Sequence, residues 1–257
     1  MVILSGGDAS RLEYPYPKGL FNMPLENRPS TLFSMIFERL QSLENLANKI
    51  FGKTDQKTPE KYSKMSIYVL VSKKFQTITK NYFEQNYNFG FTNIFFIDCE
   101  SKICSFDKEG QILLKDSSTV LKTSFGNGDL MDVLLNEIYE NMEQRGLEYL
   151  HISGIDNLLN RPLDPLFMGL MQQENLMLVH KIVEKEVASE NVGLFVRERE
   201  TGATQVMEYT YFPAHLKEKT VDNKLKYRNA NMLNLCANIR FLEYFRGRCR
   251  VINGEYV

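Results

Sequence analysis

The 257-residue sequence predicts an α/β protein, a doubly wound mixed sheet whose second half carries a small β subdomain. Up to Asp164, short apolar runs alternate with longer segments of helical periodicity, the pattern of a largely parallel sheet covered on both faces. After Asp164 the pattern changes to short strands joined by polar turns. The length suits one domain, residues 1–257, which we divide into halves at 1–160 and 161–257.

Each element of the first half follows from a local pattern. Val2–Leu4 is a strand fragment that ends at two glycines. A helix capped by Ser30 or Thr31 is expected next, because apolar residues recur at helical spacing: Leu32, Met35, Ile36, Leu40, Leu43 and Leu46. The later elements are an exposed loop (Gly52–Met65), a strand (Ser66–Val71), a helix (Phe75–Phe83), a strand (Asn93–Cys99), a helix (Leu130–Met142) and a strand (Tyr149–Ile155).

The second half contains three predicted antiparallel strands. They are Leu176–Val183, Val192–Val196 and Gln205–Tyr209, with a polar turn at Glu200–Gly202 between the last two. The charges of Lys181, Glu184 and Lys185 are typical of a solvated face.

The composition excludes several classes of protein. A net charge of -1 argues against a nucleic-acid partner. Four scattered cysteines and three histidines argue against a zinc site or a disulfide framework and favour a reducing compartment. No apolar run approaches the ~20 residues that span a bilayer, and Met1–Leu4 leads directly into glycines, unlike a signal peptide. We therefore expect a cytoplasmic protein with no membrane partner.

A glycine-rich loop follows the first strand directly, from Leu4 to Leu12. Gly6 and Gly7 allow backbone N–H groups to approach an anion closely. Arg11 adds a planar guanidinium, and Lys18 adds a point charge seven residues later. Two glycines alone would more often be a tight turn, but the whole pattern GGxxxRLxxxxPKG after a strand favours phosphate binding.

This loop resembles the signature LxxGGxGTRLxxxxPKG of eukaryotic UDP-N-acetylglucosamine pyrophosphorylases. Order and spacing agree from residue 2 to about 242. Five further segments resemble family motifs: Phe125–Gly128 (DGNGG), Glu148–Asn157 (EYxHxxxVDN), His180–Gly193 (KVVEK…PVG), Gln205–Tyr209 (QVVEY) and Tyr227–Asn234 (FRAGNxxN).

The resemblance implies a fold, a reaction and a set of site residues. The fold would be the Rossmann-like, GT-A-like fold of nucleotide-diphospho-sugar transferases, with residues 1–160 binding the nucleotide and 161–257 the sugar. The reaction would be attack by N-acetylglucosamine 1-phosphate on the α-phosphorus of UTP, giving UDP-N-acetylglucosamine and pyrophosphate, in a monomer. The implied residues are Leu4, Gly6, Gly7 and Gly126 for the nucleotide, Arg11 and Lys18 for its phosphates and for catalysis, Asp156 for Mg²⁺, and Asn127, Gly193, Glu208 and Asn231 for the sugar.

Each assignment has a plainer alternative. Asp156-Asn157 fits a strand-ending turn or a helix cap, Glu208 fits the outward position of a strand, and Asn127 fits a simple turn.

The sequence also departs from the family pattern. Ala9 replaces a loop glycine, Phe125 replaces an acid, and Asp98 stands near the position of a uracil-binding glutamine. Asp129 matches instead a version found in UTP–glucose-1-phosphate uridylyltransferases. Family members also carry segments before the loop and beyond residue 242. An active N-acetylhexosamine enzyme, a hexose enzyme, and an inactive sugar-nucleotide-binding relative or fragment all stay open.

Overall fold

The central feature of the computed structural model is an eight-stranded mixed sheet. The structure describes residues 1–6, 13–25, 28–51, 65–99, 105–121, 129–252 and 255–256. The strands follow the order β5-β4-β1-β6-β12-β8-β9, and β7 pairs with β12. Their bounds are β1 (Val2–Leu4), β4 (Ile67–Val71), β5 (Ile94–Asp98), β6 (Tyr149–Gly154), β7 (Leu178–Glu184), β8 (Leu194–Arg197), β9 (Thr204–Met207) and β12 (Asn229–Asn238).

Four neighbouring strands run parallel, so their carboxyl ends share one edge. β1 lies between β4 and β6, and β5 pairs with β4 on the outside. The chain moves outward from β1 to β5 and then returns to place β6 on the other side of β1. This reversal is a topological switch point, where open α/β sheets leave a crevice for ligands. The four strands confirm the strand predictions for the first half.

β12 joins the two halves of the chain into one sheet. Its second part pairs antiparallel with β6, and its first part pairs with β8 at Ala230. β7 lies along both parts, and the register shifts between Asn231 and Leu235. The three predicted antiparallel strands therefore form, but they extend the central sheet through β12 and do not form a separate β subdomain. β12 itself is a ten-residue strand that the sequence analysis did not predict.

Helices cover both faces of the parallel strands. α1 (Leu32–Phe51) and α2 (Lys73–Gln85) pack on one face, which includes Ile3 and Val69. On the other face, which includes Val2 and Ile152, α3 (Asp129–Val133), a π-helical turn (Leu134–Ile138) and α4 (Tyr139–Gln144) pack together with α7 (Ile239–Arg246). Alternate residues of each strand thus enter opposite cores, as the pleat requires.

Two details of these helices differ from the predictions. Of the two candidate caps for α1, Thr31 is used, since its Oγ1 accepts a hydrogen bond from the backbone N–H of Ser34 at 3.1 Å. The apolar stripe ends earlier than expected, because Leu46 is 50% exposed. The helix expected over Leu130–Met142 is interrupted by the π-helical turn, which an apolar pattern cannot reveal.

The remaining elements are short. They are β2 (Asn22–Leu25), β3 (Arg28–Thr31), α5 (Pro165–Gln173), α6 (Ala214–Lys217), β10 (Thr220–Val221), β11 (Lys224–Leu225), β13 (Val251–Ile252), β14 (Glu255–Tyr256), and 3-10 turns at Lys18–Leu20 and Tyr87–Gly90. The predicted loop at Gly52–Met65 lies outside the described residues except for Met65. In the described part of the chain, no helix has the length and apolar character to cross a membrane.

Candidate active site

Three segments leave the sheet at the switch point, one each from β1, β4 and β6. The backbone N–H of Ser5 donates to Leu70 O at 3.0 Å, and its hydroxyl donates to the same oxygen at 2.7 Å. On the other side, Ile155 N–H donates to Leu4 O at 3.1 Å. The backbone at the end of β1 is therefore fixed to both neighbouring strands where the glycine-rich loop begins.

Gly6 is the first glycine of that loop, and the position of Cys99 requires that it have no side chain. A Cβ atom at Gly6 would lie 2.1 Å from Cys99 Sγ, at the end of β5, and 3.7 Å from the backbone nitrogen of Ser72. The chain thus passes very close to the ends of the adjacent strands, as a glycine allows.

Lys18 is held in place by a 3-10 turn that packs on α1. Leu20 N–H donates to Pro17 O and Phe21 N–H donates to Lys18 O, both at 2.9 Å. A Cβ atom at Gly19 would lie 2.0 Å from the buried ring of Phe33. The Pro-Lys-Gly sequence therefore lets the backbone lie against the core while the lysine side chain stays partly exposed.

Asp156 lies just beyond the carboxyl end of β6 and faces Lys18. Lys18 Nζ lies 3.2 Å from Asp156 Oδ2, and the Asp156 side chain is 63% exposed. Gly154 provides room for this carboxylate, since a Cβ atom there would lie 2.8 Å from Asp156 Oδ1. Lys18 and Asp156, to which the resemblance assigns phosphate and metal binding, thus meet at the switch point.

The turn that carries Asp156 confirms part of the plainer interpretation. Ile155 and Asp156 form a turn, and Asn157 Oδ1 accepts from Leu159 N–H at 3.1 Å. Asn157 therefore acts as a local turn residue, while Asp156 remains exposed and available to a ligand.

A second cluster of predicted residues forms around Gly193. Asn231 N–H donates to Gly193 O at 2.8 Å, where β12 meets β8. A Cβ atom at Gly193 would lie 3.0 Å from Glu208 Oε1, so the glycine and the glutamate are in close contact. Gly193, Glu208 and Asn231, which the resemblance assigns to the sugar, are therefore brought together by the structure.

The sheet places both clusters beyond the same edge. Asn234 of β12 pairs with Ser153 of β6 in antiparallel register. Asp156 lies three residues beyond Ser153 in one strand direction, and Asn231 lies three residues beyond Asn234 in the opposite one, so both chains continue past the same end of β6. At Asn231 the strand is irregular: Leu233 has a φ of 50°, and Asn231 Oδ1 accepts from Leu233 N–H at 3.0 Å. Bulges of this kind re-aim side chains next to active sites.

Four predicted site residues lie outside the described residues. They are Gly7, Arg11, Gly126 and Asn127. Their assignments stay predictions.

The expectation that Lys181, Glu184 and Lys185 form a solvated face is wrong for Lys185, just beyond β7, while the side chain of Lys181 is partly exposed. Lys181 Nζ lies 2.6 Å from Asp164 Oδ2, and Lys185 is buried and donates to Glu190 O at 2.8 Å. Partial burial alone would raise the pKa of Asp164, but the hydrogen bond and charge of Lys181, together with the Leu166 N–H bond and the charge of Arg161, lower the pKa below its usual value. These lysines stabilise the chain around α5 and β7; Glu184 is exposed, as expected.

Known proteins resemble this arrangement over nearly the whole chain. A family model described as UTP–glucose-1-phosphate uridylyltransferase matches residues 1–249. The chain belongs to the UTP–glucose-1-phosphate uridylyltransferase family.

Several similar proteins have names that refer to UDP-N-acetylhexosamines. UDP-N-acetylhexosamine pyrophosphorylase-like protein 1 of Xenopus tropicalis is 29% identical over 94% of this chain and 46% of its own length. UDP-N-acetylglucosamine diphosphorylase 1 of Arabidopsis thaliana is 30% identical over 82% of this chain and 41% of its own length. The chain spans about half the length of the curated relatives it matches.

Solved structures agree in fold. A protein of Entamoeba histolytica assigned as a UDP-N-acetylglucosamine pyrophosphorylase has a TM-score of 0.80 and 27% identity, covering 95% of this chain and 59% of its own. A UDP-glucose pyrophosphorylase of Leishmania major has a TM-score of 0.63 at 15% identity, covering 96% of this chain and 51% of its own, which shows a shared fold alone. The mixed α/β architecture with a central mixed sheet is thus that of UDP-sugar pyrophosphorylases.

Sequence reasoning missed residues that shape this candidate site. Gly154 precedes Asp156 by two positions, and a glycine closing a strand before an acid was an available signal for a close approach. His151 and Asn234 stand at motif positions of the resemblance, but no role was assigned to them or to Asn160, because their contacts depend on the pairing of β6 with β12.

Proposed function

We propose that the chain is a uridylyltransferase that forms UDP-N-acetylglucosamine and pyrophosphate from UTP and N-acetylglucosamine 1-phosphate. The observation that carries the proposal is the pairing of Lys18 with Asp156 at the switch point, where the neighbouring parallel strands β1 and β6 end. A cation and a carboxylate that bind triphosphate and metal together have to lie within a few ångströms of each other at the end of the phosphate loop.

The reaction requires positioning more than a protein nucleophile. An oxygen of the sugar 1-phosphate attacks the α-phosphorus of UTP, and the bond from that phosphorus to the bridging oxygen breaks to release pyrophosphate. Lys18 is proposed to lie against the α-phosphate and neutralise the charge that gathers there, while Arg11 binds the pyrophosphate portion. Leu4, Gly6, Gly7 and Gly126 are proposed to bind the nucleotide.

The residues at the site fit a magnesium ion held largely by substrate. The described residues contain no group of three His, Cys, Asp or Glu side chains that could hold a metal alone. Asp156 offers one exposed carboxylate in a space that only a glycine at 154 leaves open. Mg²⁺ is commonly bound by one or two carboxylates together with phosphate oxygens. When bound by Asp156, the ion would supply charge neutralisation on the phosphates.

The proposed sugar pocket is formed by Gly193, Glu208 and Asn231, together with Asn127. The Glu208 carboxylate can accept hydrogen bonds from sugar hydroxyl groups, and Asn231 is held near it through the backbone of Gly193. The curated relatives named for N-acetylhexosamines support this choice of sugar. Asp129 and the name of the family model favour glucose 1-phosphate as the second candidate substrate.

Further parts of the proposal concern the fold class and the setting. We place the chain in the Rossmann-like, GT-A-like group, with residues 1–160 forming the nucleotide-binding half and 161–257 the sugar-binding half. A monomeric state and a cytoplasmic location remain predictions from the sequence.

The experiment that tests the function is a turnover assay with two substrates. Pyrophosphate release is measured with UTP, Mg²⁺ and either N-acetylglucosamine 1-phosphate or glucose 1-phosphate. Faster release with the N-acetylated sugar supports the proposal, and faster release with glucose 1-phosphate supports the second candidate. Binding of UDP-N-acetylglucosamine by calorimetry without turnover on either sugar would contradict the enzyme and leave a binding protein.

A further inference from the structure

A buried chain of hydrogen bonds connects the loop after Asp156 to β12. Leu163 N–H donates to His151 Nδ1 at 2.7 Å. His151 Nε2 lies 2.8 Å from Asn234 Oδ1, and Asn234 Nδ2 lies 2.8 Å from Asn160 Oδ1. His151 and Asn234 are 0% and 1% exposed, so water does not compete for the bond between them.

The direction of each bond is determined by its neighbours. Since Leu163 N–H occupies Nδ1 as an acceptor, the proton of the neutral ring is on Nε2, and His151 donates to Asn234 Oδ1. That orients the Asn234 amide so that its NH₂ group donates to Asn160. Burial lowers the pKa of His151 to about 4, against the opposing effect of the Asn234 hydrogen bond. The ring is therefore neutral at physiological pH.

The two ends of this hydrogen-bond chain lie next to the two halves of the candidate site. Asn160 is four residues beyond Asp156 on the same loop, and Asn234 is three residues beyond Asn231 on β12, within the register shift. Arg39 of α1 contacts the same loop from another side by donating to Leu158 O and Asn160 O. Without the His151–Asn234–Asn160 chain, the loop would keep the Arg39 contact but lose its side-chain bond to β12.

We propose that His151, Asn234 and Asn160 are positioning residues, which hold the Asp156 loop in register with the strand that carries Asn231. The inference rests on the proposed function, because it assigns Asp156 to the phosphates and Asn231 to the sugar. The buried side chains of His151 and Asn234 and the partly buried amide of Asn160 cost free energy of desolvation that their hydrogen bonds must offset. Asn160 Nδ2 is also buried without a partner among the described residues. An arrangement that costly is expected where position matters.

The test uses Asn160→Ala, which removes the last side chain of the hydrogen-bond chain, the one on the Asp156 loop. The matched control is Leu159→Ala, since Leu159 is the adjacent residue and is 90% exposed. In Asn160→Ala we expect kcat to fall by about 10-fold to 100-fold, as a displacement of about 1 Å produces, while KM for UTP changes less than twofold. The Mg²⁺ concentration for half-maximal rate should rise, and Leu159→Ala should match the unmodified chain in all three.

A second readout does not depend on turnover. Hydrogen exchange of the segment 155–163, measured without substrate, should accelerate in Asn160→Ala and stay unchanged in Leu159→Ala, while β6 remains protected in both. Equal exchange and equal kcat in the two variants would overturn the inference, as would acceleration throughout the sheet, which would mean a general loss of stability. If the unmodified protein shows no turnover, the proposed function fails. The exchange result alone then decides whether the His151–Asn234–Asn160 hydrogen bonds hold the loop in position.

His151→Gln gives an independent check at the other end. Glutamine reaches Asn234 with its amide NH₂ group but offers no acceptor at the position of Nδ1. We expect exchange of Leu163 to accelerate while the kcat loss stays smaller than in Asn160→Ala. A larger loss of kcat than in Asn160→Ala would mean that the effect comes from packing around the His151 ring. It would contradict a role that acts through Asn234 and Asn160.

Discussion

Lys18 Nζ lies 3.2 Å from Asp156 Oδ2, although 138 positions of sequence separate the two residues. The contact forms because the parallel strands β1 and β6 are neighbours, and their carboxyl ends open on the same crevice. Surface ion pairs of this exposure contribute little to stability. The pair is therefore better explained by a shared ligand than by folding, and its residues should affect activity far more than the free energy of unfolding.

Asp156→Ala should abolish Mg²⁺-dependent turnover while leaving the fold intact. Loss of a single group that stabilises charge in the transition state costs about 10²-fold to 10³-fold in kcat, whereas an exposed carboxylate contributes little to stability. Glu218→Ala, an exposed carboxylate after α6, serves as the control. The measurement is pyrophosphate release across a Mg²⁺ titration together with the thermal midpoint; unchanged activity in Asp156→Ala would refute the metal-binding role.

Gly154→Ala should lower kcat without much loss of stability. The new methyl group would lie 2.8 Å from Asp156 Oδ1, and the end of a flexible side chain can move aside at small cost. The carboxylate would then leave its position relative to Lys18, and a fall of about tenfold in kcat is expected. Gly169→Ala, in open space on α5, is the control. Full activity in Gly154→Ala would show that Asp156 tolerates displacement and weaken its assignment.

Gly6→Ala should lower the thermal midpoint, because its Cβ would lie 2.1 Å from Cys99 Sγ. Cys99→Ala removes that atom and leaves only the Cβ of residue 99, at 3.7 Å. The double variant should therefore have the same thermal midpoint as Cys99→Ala alone. KM for UTP should remain raised in the double variant, since the methyl group still obstructs the approach of phosphate to the backbone. Recovery of both quantities would mean that Gly6 serves packing only.

The sequence predicted that Lys18 and Asp156 would meet, but it did not predict β12, the strand through which the second half joins the sheet. Lys18 and Asp156 follow apolar strands in an α/β pattern, and chains that leave parallel strands at one edge meet there. β12 begins Asn229-Ala230-Asn231, and asparagine is depleted in strands. Pairing with β6, β7 and β8 overrides that preference. Such pairing, and the His151 contacts that depend on it, is determined by tertiary structure that a local pattern does not contain.

Glu208→Ala should raise KM for the sugar 1-phosphate by about tenfold or more, the loss expected for a hydrogen bond to a charged group. KM for UTP should not change, because the Gly193–Glu208 contact involves β8 and β9 and not the phosphate loop. Glu200→Ala, on the exposed turn between those strands, provides the control. Equal KM values in both variants would place the sugar elsewhere.

The stability of the chain should fall between about pH 6.5 and pH 4 through His151. The folded-state pKa is lowered from 6.5 to about 4, mainly by burial, so the unfolded chain binds the proton more readily. The contribution of the neutral ring is fully present above pH 6.5 and is lost as the pH falls towards 4. At about 1.4 kcal/mol per pKa unit, the loss at pH 4 is about 3 kcal/mol.

Urea unfolding of the chain and of His151→Gln at pH 7 and pH 4 isolates this effect, since Asp164 and His180, whose pKa values are also lowered, remain in both. The free energy of unfolding should decrease more in the unmodified chain than in His151→Gln. Equal decreases would mean that the ring is accessible to protons in the folded state and that the buried hydrogen-bond chain does not hold it neutral.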